Sequence, residues 1–262
     1  MDWRKPKMKA IEINKVNETD RISGNELILI PFGDLHIGAE TANIEKIKDT
    51  IEWIKSKPNV RVILMGDILN VGTKASIGGG TFDDIMTPQE QYELALDLLR
   101  PIKNKIYGCH IGNHEDNRIR ASTSINLTLN MCRELGFKFF GYGVFHKIRF
   151  GKHNYIVYSC HGSSGAKLAH TKLKPCIDLA SSFKADLYLM GHVHELDLHT
   201  DLCYELDMRH AKPVAKKRYF VLTGHFMDYK GSYAEAKQMR PGKQGVPKIK
   251  LFKDRKDIHV SI

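Results

Sequence analysis

Five short, largely apolar segments recur along this chain, and each ends in a small group of polar residues drawn from the same few kinds. Leu27-Ile28-Leu29-Ile30 leads to Gly33-Asp34-Leu35-His36, and Val60 to Met65 leads to Gly66-Asp67-Ile68-Leu69-Asn70. Lys105 to Ile111 leads to Gly112-Asn113-His114-Glu115. Tyr155 to Cys160 leads to His161-Gly162, and Leu187 to Met190 leads to Gly191-His192-Val193-His194. A short apolar run without polar alternation is the pattern of a strand buried on both faces. Chains built this way place their polar residues at strand ends.

Helical periodicity fills the gaps in the first half. Ile44, Ile47, Ile51 and Ile54 predict a helix over Ile44 to Lys57, closed by Pro58. Thr87 and Pro88 cap and open a second, running through Leu94, Leu98 and Leu99. Ser124 to Leu135 reads as a third, stopped by Gly136, and Pro175 to Phe183 as a fourth. Gly78-Gly79-Gly80 reads as a loop, and the first two dozen residues as an arm or an edge strand. Strand alternating with helix predicts an α/β domain with a mostly parallel sheet. Past residue 137 the pattern turns strand-rich: Val144 to Phe150 and Tyr155 to Cys160 flank a hairpin turn, with further strands at Tyr219 to Leu222 and Ile249 to Phe252. The last third is therefore expected to form a second sheet facing the first, all within one domain spanning 1–262.

The polar clusters share one chemistry. In open α/β sheets, groups at the carboxyl ends of strands gather in space. Carboxylate, imidazole and amide oxygen suit divalent ions such as manganese, zinc or iron. No cluster contains a thiolate, which argues against a closed structural zinc site. In Asp34-x-His36 and His192-x-His194, residues two apart on extended backbone point the same way. Singly, each cluster is as well read as a turn: Asp34 and Asp67 by Asx bonding, Asn113 as a helix cap.

The five cysteines show no Cys-x-x-Cys spacing and their number is odd, which points to reduced thiols. The N-terminal residues lead into no apolar run, and no stretch is long and apolar enough to span a bilayer. The expected location is the cytoplasm, with no membrane partner. The formal charge of +10 favours anionic partners.

In this order the clusters resemble the calcineurin-like metallophosphoesterase superfamily: Asp-x-His, Gly-Asp-x-x-Asn, Gly-Asn-His-Glu, His, Gly-His-x-His. The resemblance extends from residue 33 to 194. It implies a four-layer α/β/β/α sandwich of two mixed sheets flanked by helices. It also implies two divalent metal ions, manganese first, with zinc, iron or magnesium as alternatives. Asp34, His36 and His194 would bind the first metal and Asn113, His161 and His192 the second. Asp67 would bridge them. His114 would sit beside the reacting phosphate, and Asn70 would surround the ligands. The implied reaction is in-line attack of a metal-bridging hydroxide on a phosphodiester, with His114 assisting the leaving group and DNA or RNA as candidate substrates. Gly66-Asp67-Ile68-Leu69-Asn70-Val71-Gly72 lacks the Asp-Arg pair of the protein phosphatases. Hydrolysis of phosphomonoesters is the first alternative, and a nucleic-acid-binding or assembly module with incidental activity the second.

Other charged residues have two readings each. Arg118 and Arg120 either line a helix surface or meet substrate. Lys167, His170, Lys172 and Lys174 either contact phosphate or form a solvated loop. The basic stretch 237–256 either tracks a nucleic-acid backbone or keeps an edge strand soluble, with 240–245 as an exposed flexible loop. His110 reads as a core residue and His225 as structural, near the pocket. Oligomeric state is not encoded in any of these patterns.

Overall fold

A computed structural model describes residues 12–73, 84–166, 168–236, 238 and 240–262. The Gly78-Gly79-Gly80 loop expectation lies outside them.

The first sheet is built around the apolar runs. Strands β2 (Glu26–Phe32), β3 (Val60–Leu64), β4 (Ile106–His110) and β5 (Lys138–Gly141) run parallel to one another. The second sheet begins with β1 (Ile13–Asn17), an edge strand as one of the two expectations held. It continues through β6 (Gly143–Phe150), β7 (His153–Cys160), β8 (Leu187–Met190), β10 (Lys212–Thr223) and β9 (Leu196–Asp207). Phe150 pairs with His153, so the β6–β7 hairpin turns on Gly151 and Lys152 alone.

One expectation fails. The last third does not all join the second sheet. β11 (Lys248–Phe252) lies antiparallel to β2, and β12 (Ile258–Ser261) lies beside β11, so the first sheet is completed from the far end of the sequence. Ile249 and Leu251 are buried against Leu27 and Leu29, and local periodicity carries no information about that partner. Each sheet has six strands and each is mixed.

Three apolar layers stack between four structural ones. Leu29, Ile63, Val157, Leu189 and Val221 fill the space between the sheets. On the outer side of the first sheet, Val62 and Leu64 pack on helices α1 (Ile44–Ser56), α2 (Pro88–Leu99) and α3 (Leu127–Leu135). On the outer side of the second, Tyr188 and Phe220 pack on α4 (Lys174–Ser182) and its Cys176. The sandwich expected from the resemblance is the one observed.

The caps explain the helix limits. Thr87 and Glu90 form a reciprocal capping box on α2. Gly136 closes α3 in the left-handed conformation. α3 starts at Leu127 rather than Ser124, because Ser124 itself is left-handed (φ 63°) and Asn126 supplies the cap. Among the described residues no helix is long and apolar enough to cross a membrane.

Candidate metal centre

All five clusters converge at one edge of the sandwich. The turns after β2 and β3 are zipped together: Asp34 N–H donates to Gly66 C=O, and Leu35 and His36 N–H to Asp67 C=O. Gly112 makes the third turn fit, since a Cβ there would lie 2.1 Å from Asp67 N and Oδ1. A glycine is required wherever backbone approaches this closely.

The side chains meet in overlapping sets. Ligand atoms of Asp34, His36 and His194 lie within 4.8 Å of one another, as do those of Asp67, His161 and His192. His36, Asp67 and His114 satisfy the same criterion and join the two. The Nε2 atoms of His36 and His194 are 2.9 Å apart. Asn113 completes the second set, its Oδ1 lying 2.9 Å from His161 Nε2 and 2.7 Å from His192 Nδ1. Asn113 makes no side-chain cap bond, and Asp67 Oδ1 accepts the N–H of His114, not of a near neighbour. The turn-forming readings of both residues are therefore corrected.

The route by which the Asp-x-His and His-x-His pairs converge also differs from expectation. Asp34, His36, His192 and His194 have φ of 50°, 48°, 70° and 51°, and Asp67 48°. These are left-handed turns, not extended backbone. Such conformations cost about 1–3 kcal/mol each in a non-glycine residue and persist where surrounding bonds impose them. The clamps between turns supply those bonds.

Charge follows the geometry. Asp34, His36, Asp67 and His161 are buried, while the His194 side chain is 34% exposed and marks the mouth. His161 donates Nδ1–H to Met65 C=O at 2.8 Å, which turns Nε2 to Asp67 and Asn113. Burial opposes its protonation, but the adjacent Asp67 carboxylate more than reverses this and lifts it to about 10. Asp67 is pushed well below the usual carboxylate range: burial resists, and the imidazoles of His161 and His114 prevail. Burial drives His36 well down.

His114 opens a π-helical segment, His114–Arg120, which turns its ring over the cluster. Its Nδ1 donates to Asn70 C=O at 2.9 Å, and its Nε2 accepts from Arg118 at 3.1 Å. Burial holds the ring down at about 4. Arg118 also donates to Asn70 C=O at 2.7 Å, so it faces the cluster. Arg120 instead bonds Asp116 and Tyr142 and takes no part.

Four further expectations resolve. Lys172 neither floats nor reaches the cluster; it is buried and paired with Glu195 at 3.1 Å. The 240–245 loop is not a free excursion: Gln244 bonds Met227 C=O, and Gly242 sits against His194 and His225. His225 stacks on the His194 ring with centroids 5.2 Å apart. His110 is fully buried between the sheets, as expected of a core residue.

Sequence reading gave no role to Glu115, Asp84 or Gln91. Glu115 Oε1 accepts the N–H groups of Ile68 and Leu69 at 2.7 and 3.0 Å and holds the Asp67 turn. Burial, then Asp67, raises its carboxyl to about 7. Asp84 belongs to no spacing motif, yet its carboxylate accepts from Asn70, Gly72 and Gln91.

The donor set fits a divalent cation: carboxylate, imidazole and amide oxygen converge, no thiolate intrudes, and the His36 and His194 nitrogens face each other. The profile of the calcineurin-like phosphoesterases matches residues 30–196, well over half of the chain. No curated protein matches significantly. Among solved structures, a metallophosphoesterase from Sphaerobacter thermophilus is 14% identical, with TM-score 0.40 and coverage of 90% of this chain and 87% of that one. Vps29 from Entamoeba histolytica, solved with zinc, is 11% identical, with TM-score 0.41 and coverage of 90% and 97%. A predicted phosphoesterase from Streptococcus pneumoniae is 10% identical, with TM-score 0.37 and coverage of 91% and 100%. On its family match, this chain belongs to the calcineurin-like phosphoesterases, a family of metal-dependent phosphate-ester hydrolases.

Proposed function

We propose that this protein hydrolyses phosphodiesters, with DNA or RNA as the substrate class, using two divalent metal ions, manganese first. One observation carries the dinuclear part. Asp67 Oδ2 lies 3.9 Å from His36 Nε2 on one side and 3.4 Å from His161 Nε2 on the other, so one carboxylate serves both sets. Asp34, His36 and His194 would hold the first ion, Asn113, His161 and His192 the second, and Asp67 both. Bound there, the ions supply charge neutralisation of the ester oxygens and hydroxide at neutral pH.

The chain's own residues do the rest. Arg118 places a guanidinium beside the cluster, where a phosphate oxygen competes for its bonds. His114 Nδ1–H is held by Asn70 C=O, which aims Nε2 at the reacting ester. An anionic ester opposes the burial that holds this ring near pH 4, and so favours the proton it hands to the departing oxygen.

The diester reading draws support from the net charge of +10 and from Asn70-Val71 at the position of the phosphatase Asp-Arg pair. Manganese-loaded protein should be assayed on bis-p-nitrophenyl phosphate, p-nitrophenyl phosphate, and single- and double-stranded DNA and RNA. Diester cleavage with little monoester cleavage is expected. The reverse preference would replace this reading with a phosphomonoesterase. Metal-free protein that binds DNA with a steep salt dependence while the loaded form cleaves nothing would favour a binding module.

A further inference from the structure

We propose that Asp84 is a positioning residue that fixes, through Asn70, which nitrogen of His36 carries the hydrogen, and so leaves Nε2 open to the metal. The inference rests on the metal-binding reading above and adds a residue outside every family motif.

The argument is one of donors and acceptors. Asp84 is strapped beneath the His36 turn by a bridge to Ala39, and Ile85 N–H donates to Gly38 C=O at 2.9 Å. Gln91, fully buried, accepts Val71 N–H through Oε1 at 2.8 Å. Its amide nitrogen must then face Asp84 Oδ2, at 2.8 Å. Gly72 N–H, which can only donate, reaches the same oxygen at 2.6 Å. An ionised carboxylate only accepts, so the remaining Oδ1 also requires a donor. The group facing it at 2.5 Å is Asn70 Nδ2. With its nitrogen so committed, Asn70 turns Oδ1 to His36 Nδ1, at 3.2 Å. His36 Nδ1 therefore carries the hydrogen, and its Nε2 lone pair faces His194 Nε2 at 2.9 Å. Each orientation forces the next, and the chain starts from two backbone N–H groups whose direction is not adjustable.

This order makes an unusual prediction for a nearly isosteric change. In Asp84→Asn, the new amide keeps an oxygen for Gly72 and Gln91 and presents its nitrogen to Asn70. Asn70 must then flip, presenting Nδ2 to His36. His36 Nδ1 becomes the acceptor, and the hydrogen moves to Nε2, where it blocks the metal. Adding Asn70→Asp repairs this, because that carboxylate accepts from both neighbours.

The test uses the metal-free full chain labelled with ¹⁵N at histidine, read by two-bond ¹H–¹⁵N correlation, with His36 assigned by the signal lost in His36→Gln. Mn²⁺ affinity is measured on the same proteins by calorimetry. Wild type is expected to show the Nδ1–H form. Asp84→Asn should shift it to Nε2–H and weaken Mn²⁺ binding about 10–100-fold. Asp84→Asn with Asn70→Asp should restore both. An Nε2–H signal in wild type, an unchanged tautomer in Asp84→Asn, or a double variant as impaired as the single would each overturn the proposal. Wild type that binds no Mn²⁺ counts against the metal reading instead, since the tautomer is read without metal.

Discussion

Asp67 Oδ1 accepts the backbone N–H of His114 at 2.9 Å, so the carboxylate after β3 is locked by the turn after β4. Its other oxygen is left to face His36 and His161. Asp67→Asn keeps the acceptor for His114 but removes the charge. Metal content by elemental analysis should fall for both ions, and turnover should drop by more than about 100-fold, beyond what loss of an outer-shell partner costs. Retention of two ions per chain would show that Asp67 is not shared.

Metal binding should release a proton. His161 Nε2 faces two acceptors, and the ring titrates at about 10, burial being outweighed by Asp67. An imidazolium cannot ligate, so the incoming ion displaces its hydrogen. Calorimetry at pH 7.5 in buffers of differing ionisation enthalpy should show about one proton released at this site. Affinity should rise as pH rises toward 10. Identical apparent enthalpies in all buffers would mean that His161 is already neutral.

His114→Ala should lower kcat by about 10²–10⁴-fold, the range for a positioned proton donor. Both metals should stay bound, because Nδ1 is tied to Asn70 C=O and Nε2 to Arg118. Steady-state assays beside elemental analysis check both halves. Loss of metal with the ring would make His114 a ligand.

Acid should destabilise the metal-free fold. His110 and His146 both bond Ser159 Oγ at 2.7 Å, and burial holds His110 at about 3 and His146 well down. An unfolded histidine titrates near 6.5, so the unfolded chain takes up these protons first. Stability is therefore full above about pH 6.5 and falls as pH drops toward 3. Each such histidine contributes a slope of about 1.4 kcal/mol per pH unit within that window. Urea unfolding of His110→Gln should show a slope shallower by about that amount. An unchanged slope would show that His110 is not held neutral.

The sequence made the strand ends and their chemistry legible because both are local. A buried apolar run and the polar group that follows it occupy adjacent positions, and the candidate ligands of both sets lie in such groups. What stayed hidden depends on partners distant in sequence. Asp84 acts through Asn70 and Gln91, and nothing around it distinguishes it from a turn residue. Arg118 and Arg120 look alike in sequence; the π-helical segment turns one inward and leaves the other to Asp116. The left-handed turns at Asp34 and His36 were equally unreadable, since they are imposed by bonds to the neighbouring Asp67 turn.

β2, which delivers Asp34, is flanked by β3 on one side and by β11 on the other, more than two hundred positions later in the chain. During synthesis that side of the strand stays unpaired until Lys248–Phe252 has emerged. The nascent polypeptide thus carries Leu27 and Leu29 without their final cover while the intervening two hundred or so positions are made. Maturation of the Asp34 turn waits on a segment more than two hundred positions downstream, and slow closure of this long-range pairing is the step at which aggregation or chaperone capture would compete.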